Sequence, residues 1–328
     1  MRNLGKLAVL GITALGLALA GPQDNSLVIG ASQEPRVLAG DFLSVISNQA
    51  IKSEIEQYLF APFIGFNADS QNFPVLATEV PTLENGRLRV TDIGGGKKRL
   101  EMDITIRPDA KWSDGRPITT EDVAFYFEVG KAKGMPVLNP DFWERVNVRI
   151  KDARNFTLIF EPAYYYDTYG PINTYAPKHI MGPEWERVKA AARGLDPQKD
   201  AEKLNELYRN FFIKFSTPQA LNRGAMVYSG PFMLRRWVPG NSIEMVRNPN
   251  FPIKPEGGES KYVQKVVYRF IQNTNSLLVA VIGGSIDATS SVSLTFDQGR
   301  SPQLVRRAPG RFDIWFVPGA IWEHIDIN

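Results

Sequence analysis

KWSDGRPITTEDVAFYFEV, residues 111–129, joins an aromatic, acidic, glycine-bearing turn directly to an aromatic helix. Just before it, RLEMDITIRPDA alternates Leu100, Met102, Ile104 and Ile106 with Glu101, Asp103, Thr105 and Arg107. A period of two predicts a strand with one buried face. Pro108 and Asp114-Gly115 then interrupt it, since proline removes a donor and glycine admits positive φ. Thr119, with Asp122 three residues on, sits where a capping box opens a helix. The local unit reads as strand, Trp112-centred turn, capped helix. Asp114, Glu121 and Asp122 have no histidine or cysteine near them in sequence. Turn and cap roles account for these acids, and Trp112 is expected to plug the core rather than to meet a ligand.

The 328 residues suffice for more than one hydrophobic core, and 43% hydrophobic residues place the chain outside the disordered class. The chain starts with the positive MRNLGK, followed by the apolar LAVLGITALGLALA and small residues at Ala18-Leu19-Ala20. That is the pattern of a secretory leader cleaved after Ala20. The apolar run, Leu7 to Ala20, is 14 residues long, shorter than a bilayer span requires. Loss of Arg2 and Lys6 with this acid-free leader takes the net charge from +3 to +1, which gives no argument for a nucleic-acid partner. The absence of cysteine rules out disulfides and a thioether-linked lipid anchor. An exported chain in the periplasm or extracytoplasmic space is expected.

Further patterns extend the reading. NSLVIGAS predicts an early strand and IKSEIEQYLFAPFI a short helix; Asn85-Gly86 suggests a hairpin turn. Val146, Val148 and Ile150, then Phe156, Leu158 and Phe160, form two alternating sets around a turn at 151–154. PEWERVKAAARGLDPQKDAEKLNELYRNFFIKF reads as two helices divided at Gly194 and Pro197. Phe232–Trp237 and Ser242–Val246 flank Pro239-Gly240 as a hairpin. KYVQKVVYRFIQN adds a strand, and NSLLVAVIGGSIDAT a short helix, a glycine break and extended chain. The class is α/β.

Catalytic and metal chemistry find little support. His179 and His324 are the only histidines, so zinc spacing is absent. Gly94-Gly95-Gly96-Lys97-Lys98 lacks the Walker spacing and reads as a hairpin turn. Ser229 precedes Gly230-Pro231, not a nucleophile elbow. The chain is expected not to be an enzyme, with no catalytic residue, no metal and no cofactor. YYYDTYG, residues 164–170, supplies flat faces and hydroxyls suited either to peptide or sugar binding or to interdomain packing. GASQE, residues 30–34, is either a simple strand exit or an exposed backbone edge in a cleft.

Taken together, the chain resembles the extracytoplasmic solute-binding proteins of peptide and nickel ABC importers. Trp112-Ser113-Asp114-Gly115-Arg116-Pro117, then Thr119 and Asp122-Val123, match the family's W-x-D-G-x-P-[LIF]-T-x-x-D-V pattern. Tyr228-Ser229-Gly230-Pro231-Phe232 resembles its later GTGPY-like turn, with Tyr228 and Ser229 replacing the usual small residues. Val238-Pro239-Gly240, Arg247-Asn248-Pro249-Asn250-Phe251, Pro177-Lys178-His179-Ile180 and Gly284-Ser285-Ile286-Asp287-Ala288 continue the match. The implied fold is α/β and two-lobed, like a periplasmic binding protein, with an inserted subdomain. The implied division is a signal peptide at 1–20, lobe one at 21–44 and 166–269, the inserted subdomain at 45–165, and an incomplete second lobe from 270 to 328.

The resemblance implies a monomer that captures peptide without chemical conversion and delivers it to an ABC permease in the inner membrane. A nickel chelate, haem or an oligosaccharide as solute, or a non-transporting truncated remnant, remain the alternative readings. Ser32, Gln33 and Glu34 are expected to line the cleft, because they follow the first core strand and the corresponding loop lines the peptide site in relatives. Tyr228 and Ser229, beside the Gly-Pro turn, are second choices. With so short a second lobe, residues 1–328 alone are expected to bind peptide poorly, and Trp315, Phe316, Ile321 and Trp322 to need cover. The leader generates the first test. N-terminal sequencing of exported protein should find Gly21 first, and a retained Met1 would identify an anchor instead.

Overall fold

The computed structural model describes residues 25–67, 69–164, 167, 176–254, 257–258, 262–309 and 313–316. Strand β1 (Ser26–Ala31) is an inner strand, next to one edge of a five-stranded mixed sheet. Its period of two sorts its side chains. Ile29 and Ala31 join the main core, while Val28 joins Leu277 and Ile286 in a second cluster on the other face. Helix α1 (Ala50–Leu59) follows, then a small hairpin of β2 (Ile64–Phe66) and β3 (Asn72–Pro74). Strands β4 (Leu88–Asp92), β5 (Lys98–Thr105), β6 (Val146–Ile150) and β7 (Asn155–Phe160) form an antiparallel sheet in the order β4-β5-β7-β6. Helices α2 (Thr120–Gly130) and α3 (Pro140–Arg145) lie between β5 and β6 in the chain. The glycine turn at 93–97 joins β4 to β5, as expected. At Asn85-Gly86 the expected hairpin does not form. The Asn85 side-chain carbonyl accepts instead from the amides of Thr82 and Arg87, which closes a local turn with no strand before it.

Helices α4 (Lys178–Ala192) and α5 (Ala201–Ser216) are divided near Gly194 and Pro197, and a short α6 (Pro218–Asn222) follows. The hairpin β8 (Phe232–Val238) and β9 (Ser242–Arg247) then returns to the first sheet. Strand β10 (Lys265–Phe270) pairs antiparallel with β9 and parallel with β1. Helix α7 (Thr274–Ile282) crosses to β11 (Ala288–Thr289), which pairs parallel with β1 on its other edge. The sheet order is therefore β11-β1-β10-β9-β8, and it continues through the stretch beyond residue 270. Short helices α8 (Phe296–Gly299) and α9 (Pro302–Arg307) come last. The fold is α/β with mixed sheets. Among the described residues, no helix is long and apolar enough to cross a membrane.

The separated sequence motifs meet in space. Trp112 is fully buried, and its indole N–H donates to Asp122 Oδ2 at 3.2 Å. The same oxygen accepts from the Thr119 amide at 3.0 Å, completing the capping box that starts α2. Asp122 Oδ1 accepts the amide of Lys178, the first residue of α4, at 2.9 Å. Burial raises the Asp122 pKa, opposed by the bonds from Thr119, Lys178 and Trp112 and by nearby His179. His179 Nε2 lies 2.9 Å from Asp114 Oδ2 in the same turn. The next residue ties in the second motif: the Ser113 amide donates to the Tyr228 carbonyl, and the Tyr228 amide to Ser113 Oγ. Asn250 Nδ2 donates to the Ser113 carbonyl, and Asn248 Nδ2 to that of Gly230. Gly230 presses on the end of α1, where a Cβ would lie 2.6–2.7 Å from the backbone of Leu59, Phe60 and Tyr58. Only glycine allows its amide to reach the Leu59 carbonyl at 2.8 Å.

Charged groups hold the loop between β1 and α1. The Asp41 carboxylate accepts from the amides of Val45, Ile46 and Ser47, an anion seated in a nest of N–H groups. Lys52 donates to the Asp41 carbonyl at 3.0 Å and to Glu56 Oε2 at 3.2 Å. Glu56 Oε1 accepts the Ala39 amide at 2.9 Å. All three ionisable side chains are buried.

These buried acids can be tested in two ways. Asp122→Ala leaves three donors without their acceptor, at about 1–3 kcal/mol each when buried. Urea unfolding should show a loss of about 3 kcal/mol or more at an unchanged m-value. A loss below about 1 kcal/mol would deny Asp122 its joining role. The second test concerns pH. Burial pushes Glu56 up from 4.5 to about 7, against the pull of Lys52 and the Ala39 amide. A carboxyl that holds its proton more tightly when folded stabilises fully below its unfolded pKa, and that contribution is lost as pH rises through the folded one. Tm should therefore fall between about pH 5 and about pH 8 by more in the wild type than in Glu56→Gln. Equal falls would show that folding leaves Glu56 unshifted.

Candidate ligand-binding site

Residues 32–36 leave the end of β1 and turn at Pro35, so their positions are set by the sheet and by what their side chains hold. Glu34 reaches across to the β8–β9 hairpin. Its Oε1 accepts from Trp237 Nε1 and its Oε2 from the Gly240 amide, both at 2.8 Å. Gln49, just before α1, supports the next turn by accepting the Arg36 amide at 2.8 Å. The Ser32 hydroxyl donates to the Val292 carbonyl. Gln33 is exposed. The loop is thus pinned on one side by the hairpin and on the other by the segment after β11, with the Gln33 side chain left toward solvent.

Tyr228 and Ser229 sit apart from that loop. Tyr228 is buried, its ring 5.8 Å from that of Phe60, and burial pushes its phenol well above its usual pKa. Ser229 Oγ is buried and accepts the Ala61 amide at 3.2 Å. These two side chains serve the junction between α1 and the Gly-Pro turn. Of the five residues expected at the site, the structure brings Ser32, Gln33 and Glu34 together in one loop and places Tyr228 and Ser229 in the core. In the tyrosine-rich stretch only Tyr164 and Asp167 are described; Tyr165, Tyr166 and Tyr169 lie outside the described residues. Asp167 is buried on Arg145 Nη1 at 2.7 Å, and the Arg145 guanidinium stacks 4.1 Å over the Tyr164 ring. Trp315 and Phe316 are exposed, at 81% and 51%, while Ile321 and Trp322 lie outside the described residues, as does the leader with its cleavage site.

Sequence reasoning passed over the polar segment Ser290–Ser293, which borders the loop. The Ser290 amide and the Ser293 hydroxyl both donate to the Gly30 carbonyl, at 2.9 and 2.7 Å. Glu54, from α1, accepts from both Ser290 and Ser291. A serine-rich run after a two-residue strand carries no periodicity, so only the run of hydroxyls could have marked it. Among the described residues no cluster of His, Cys, Asp and Glu has the makings of a metal site.

Comparison with known proteins places this geometry. The profile of bacterial extracellular solute-binding proteins, family 5 Middle, matches residues 97–316. The chain is 98% identical to the crystallised oligopeptide binding protein of Thermus thermophilus, complexed with a pentapeptide, with a TM-score of 0.91. That match covers 93% of this chain and 51% of that one, so the chain spans about half the length of this relative. The oligopeptide-binding protein AppA of Bacillus subtilis is 23% identical over 270 residues, 81% of this chain and 40% of AppA. NikZ of Campylobacter jejuni, solved with Ni(L-His), shares the fold at 17% identity and a TM-score of 0.53, over 81% of this chain and 43% of NikZ. The profile match over most of the chain, on the same residues whose motifs meet around Asp122, makes this chain a member of the family 5 bacterial extracellular solute-binding proteins.

Proposed function

We propose that this chain is the peptide-capturing component of an ABC importer, acting outside the inner membrane without chemical conversion. The observation that carries this reading is the 98% identity, over 93% of the chain, to an oligopeptide binding protein solved with a pentapeptide. At that identity the residues available to meet a ligand from this half are nearly all shared. The Ni(L-His) of NikZ does not transfer, because 17% identity carries the fold alone. A nickel chelate, haem or an oligosaccharide therefore has no comparable support as solute.

In this reading the ligand meets the exposed edge of residues 32–34. Ser32 and Glu34 spend their side chains on Val292, Trp237 and Gly240, which leaves the main chain and Gln33 for recognition. Backbone groups recognise a peptide main chain whatever its side chains are, so such an edge favours broad sequence tolerance. Two lobes close over the ligand. Lobe one comprises 21–44 and 166–269, the inserted subdomain 45–165, and the second lobe begins near 270. The four-stranded sheet within 88–160 supports the subdomain, although the first sheet crosses the boundary near 270 through β11. Residues 1–20 form a cleavable leader, and a monomer delivers its cargo to an inner-membrane permease.

Isothermal titration with the pentapeptide tests the reading on two chains: these 328 residues, and the same chain completed with the remaining residues of the Thermus relative. The completed chain should bind saturably. The shorter one should bind at least about 100-fold more weakly, because one wall of a cleft leaves water competing for each backbone hydrogen bond. No binding by the completed chain would overturn the peptide reading. Equal affinity would show that the second wall is dispensable.

A further inference from the structure

Glu54 lies on α1 and reaches both β10 and the segment that follows β11. Its Oε1 accepts from the Tyr268 hydroxyl of β10 at 2.8 Å. Its Oε2 accepts from Ser290 Oγ at 2.9 Å, the Ser291 amide at 3.0 Å and Ser291 Oγ at 2.6 Å. One carboxylate thus gathers four neutral donors: a phenol, two serine hydroxyls and an amide. Burial, with Tyr58 and Glu54 beside it, raises the Tyr268 pKa far above its usual value. Tyr268 therefore stays a hydrogen-bond donor across the pH range in which proteins fold.

The segment so held needs holding. Strand β11 has two residues, both exposed, and pairs with β1 at only Ile29 and Gly30. Beyond it, serines seat the chain. The Ser290 amide and Ser293 hydroxyl take the Gly30 carbonyl, Ser290 Oγ accepts the Val292 amide at 3.2 Å, and Ser32 takes the Val292 carbonyl. The last of these reaches the loop assigned above to the ligand. A chain of contacts runs from Glu54 through Ser290 and Val292 to Ser32.

We propose that Glu54 is a positioning residue. It fastens Ser290–Val292 to α1 and thereby fixes both the ligand-facing loop at Ser32 and the direction in which the chain leaves the sheet toward residues 294–309. Charge-assisted bonds are about twice as strong as neutral ones, so one carboxylate does what two residues of strand cannot. The contribution to ligand affinity rests on the peptide reading of the site; the fastening of residues 290–292 does not.

Hydrogen–deuterium exchange on the 328-residue chain reads the fastening directly, at the amides of Ser290, Ser291 and Val292. Glu54→Ala should speed their exchange at least about tenfold while β5 and β7 keep their protection, since local opening need not involve the whole fold. Glu54→Gln keeps one acceptor oxygen and should fall between. Unchanged exchange at 290–292 would overturn the proposal. Faster exchange throughout would also overturn it, since Glu54 would then be ordinary core support. Pentapeptide titration of the completed chain supplies the second arm, where Glu54→Ala should weaken binding about tenfold without any contact to ligand. Local loosening with unchanged affinity would overturn the positioning role and leave the peptide reading intact. Failure of the completed wild-type chain to bind would reject the peptide reading instead, and the exchange result alone would then decide the fastening.

Discussion

The Asp122 carboxylate receives N–H groups from its own turn and helix start, through the Trp112 indole and the Thr119 amide, and from a segment 56 residues further on, through the Lys178 amide. Each bond starts or stops something. Thr119 begins α2, Lys178 begins α4, and Trp112 closes the turn that follows β5. An anion removed from water must regain its hydrogen bonds inside the fold, so burying this side chain obliges these elements to converge. Ser113, next to Trp112, then exchanges two bonds with Tyr228, and Gly230 docks on α1. A register error in any of these elements would strand the carboxylate or bring a Cβ onto backbone at Gly230.

The same logic governs the loop assigned to the ligand. Glu34 and Ser32 are two of the five residues that a sequence reading assigns to recognition, and both are bonded to other parts of the protein. Their bonds hold the main chain between them in a defined place. Interactions made by a preorganised backbone lose little entropy on binding. The consequence is that substitution of Glu34 would first release the β8–β9 hairpin from the loop.

Local features were legible in the sequence because their causes are local. The alternation of Leu100 to Ile106, the Thr119–Asp122 box and the Pro239-Gly240 hairpin each depend on residues within a few positions. The α4 and α5 helices were divided correctly at Gly194 and Pro197, but α4 starts at Lys178, ahead of the expected Pro183. Its first amide is taken by Asp122, a tertiary bond that no helix-start signal reports. Strand β11 pairs at two residues only and has no period of its own. At the site, the strand exit after β1 was recognisable, but the partners of Ser32 and Glu34 are more than 200 positions away. Tyr228 and Ser229 were recognisable as part of a motif, but their burial beside α1 depends on contacts with residues far away in sequence.

Two kinds of electrostatics divide the molecule. On the open face of the four-stranded sheet, Arg89 and Lys151 bracket Asp103 at 2.7 and 2.8 Å, and Arg89 also reaches Glu101. Burial works against the Asp103 charge, but the bonds from Arg89, Lys151 and Thr157 together hold its pKa far below the usual carboxylate range. These are charge–charge contacts between partly exposed groups, which salt screens. Asp122, Asp41 and Glu54 instead draw on neutral amides, an indole, a phenol and hydroxyls. Lys52 stands beside Asp41 and pairs with Glu56 as well, but these groups are buried, and salt screens buried charges much less than exposed ones. The buried carboxylates Asp122, Asp41 and Glu56 are therefore weakly screened, while the more exposed ladder sits on the four-stranded sheet farther along the chain.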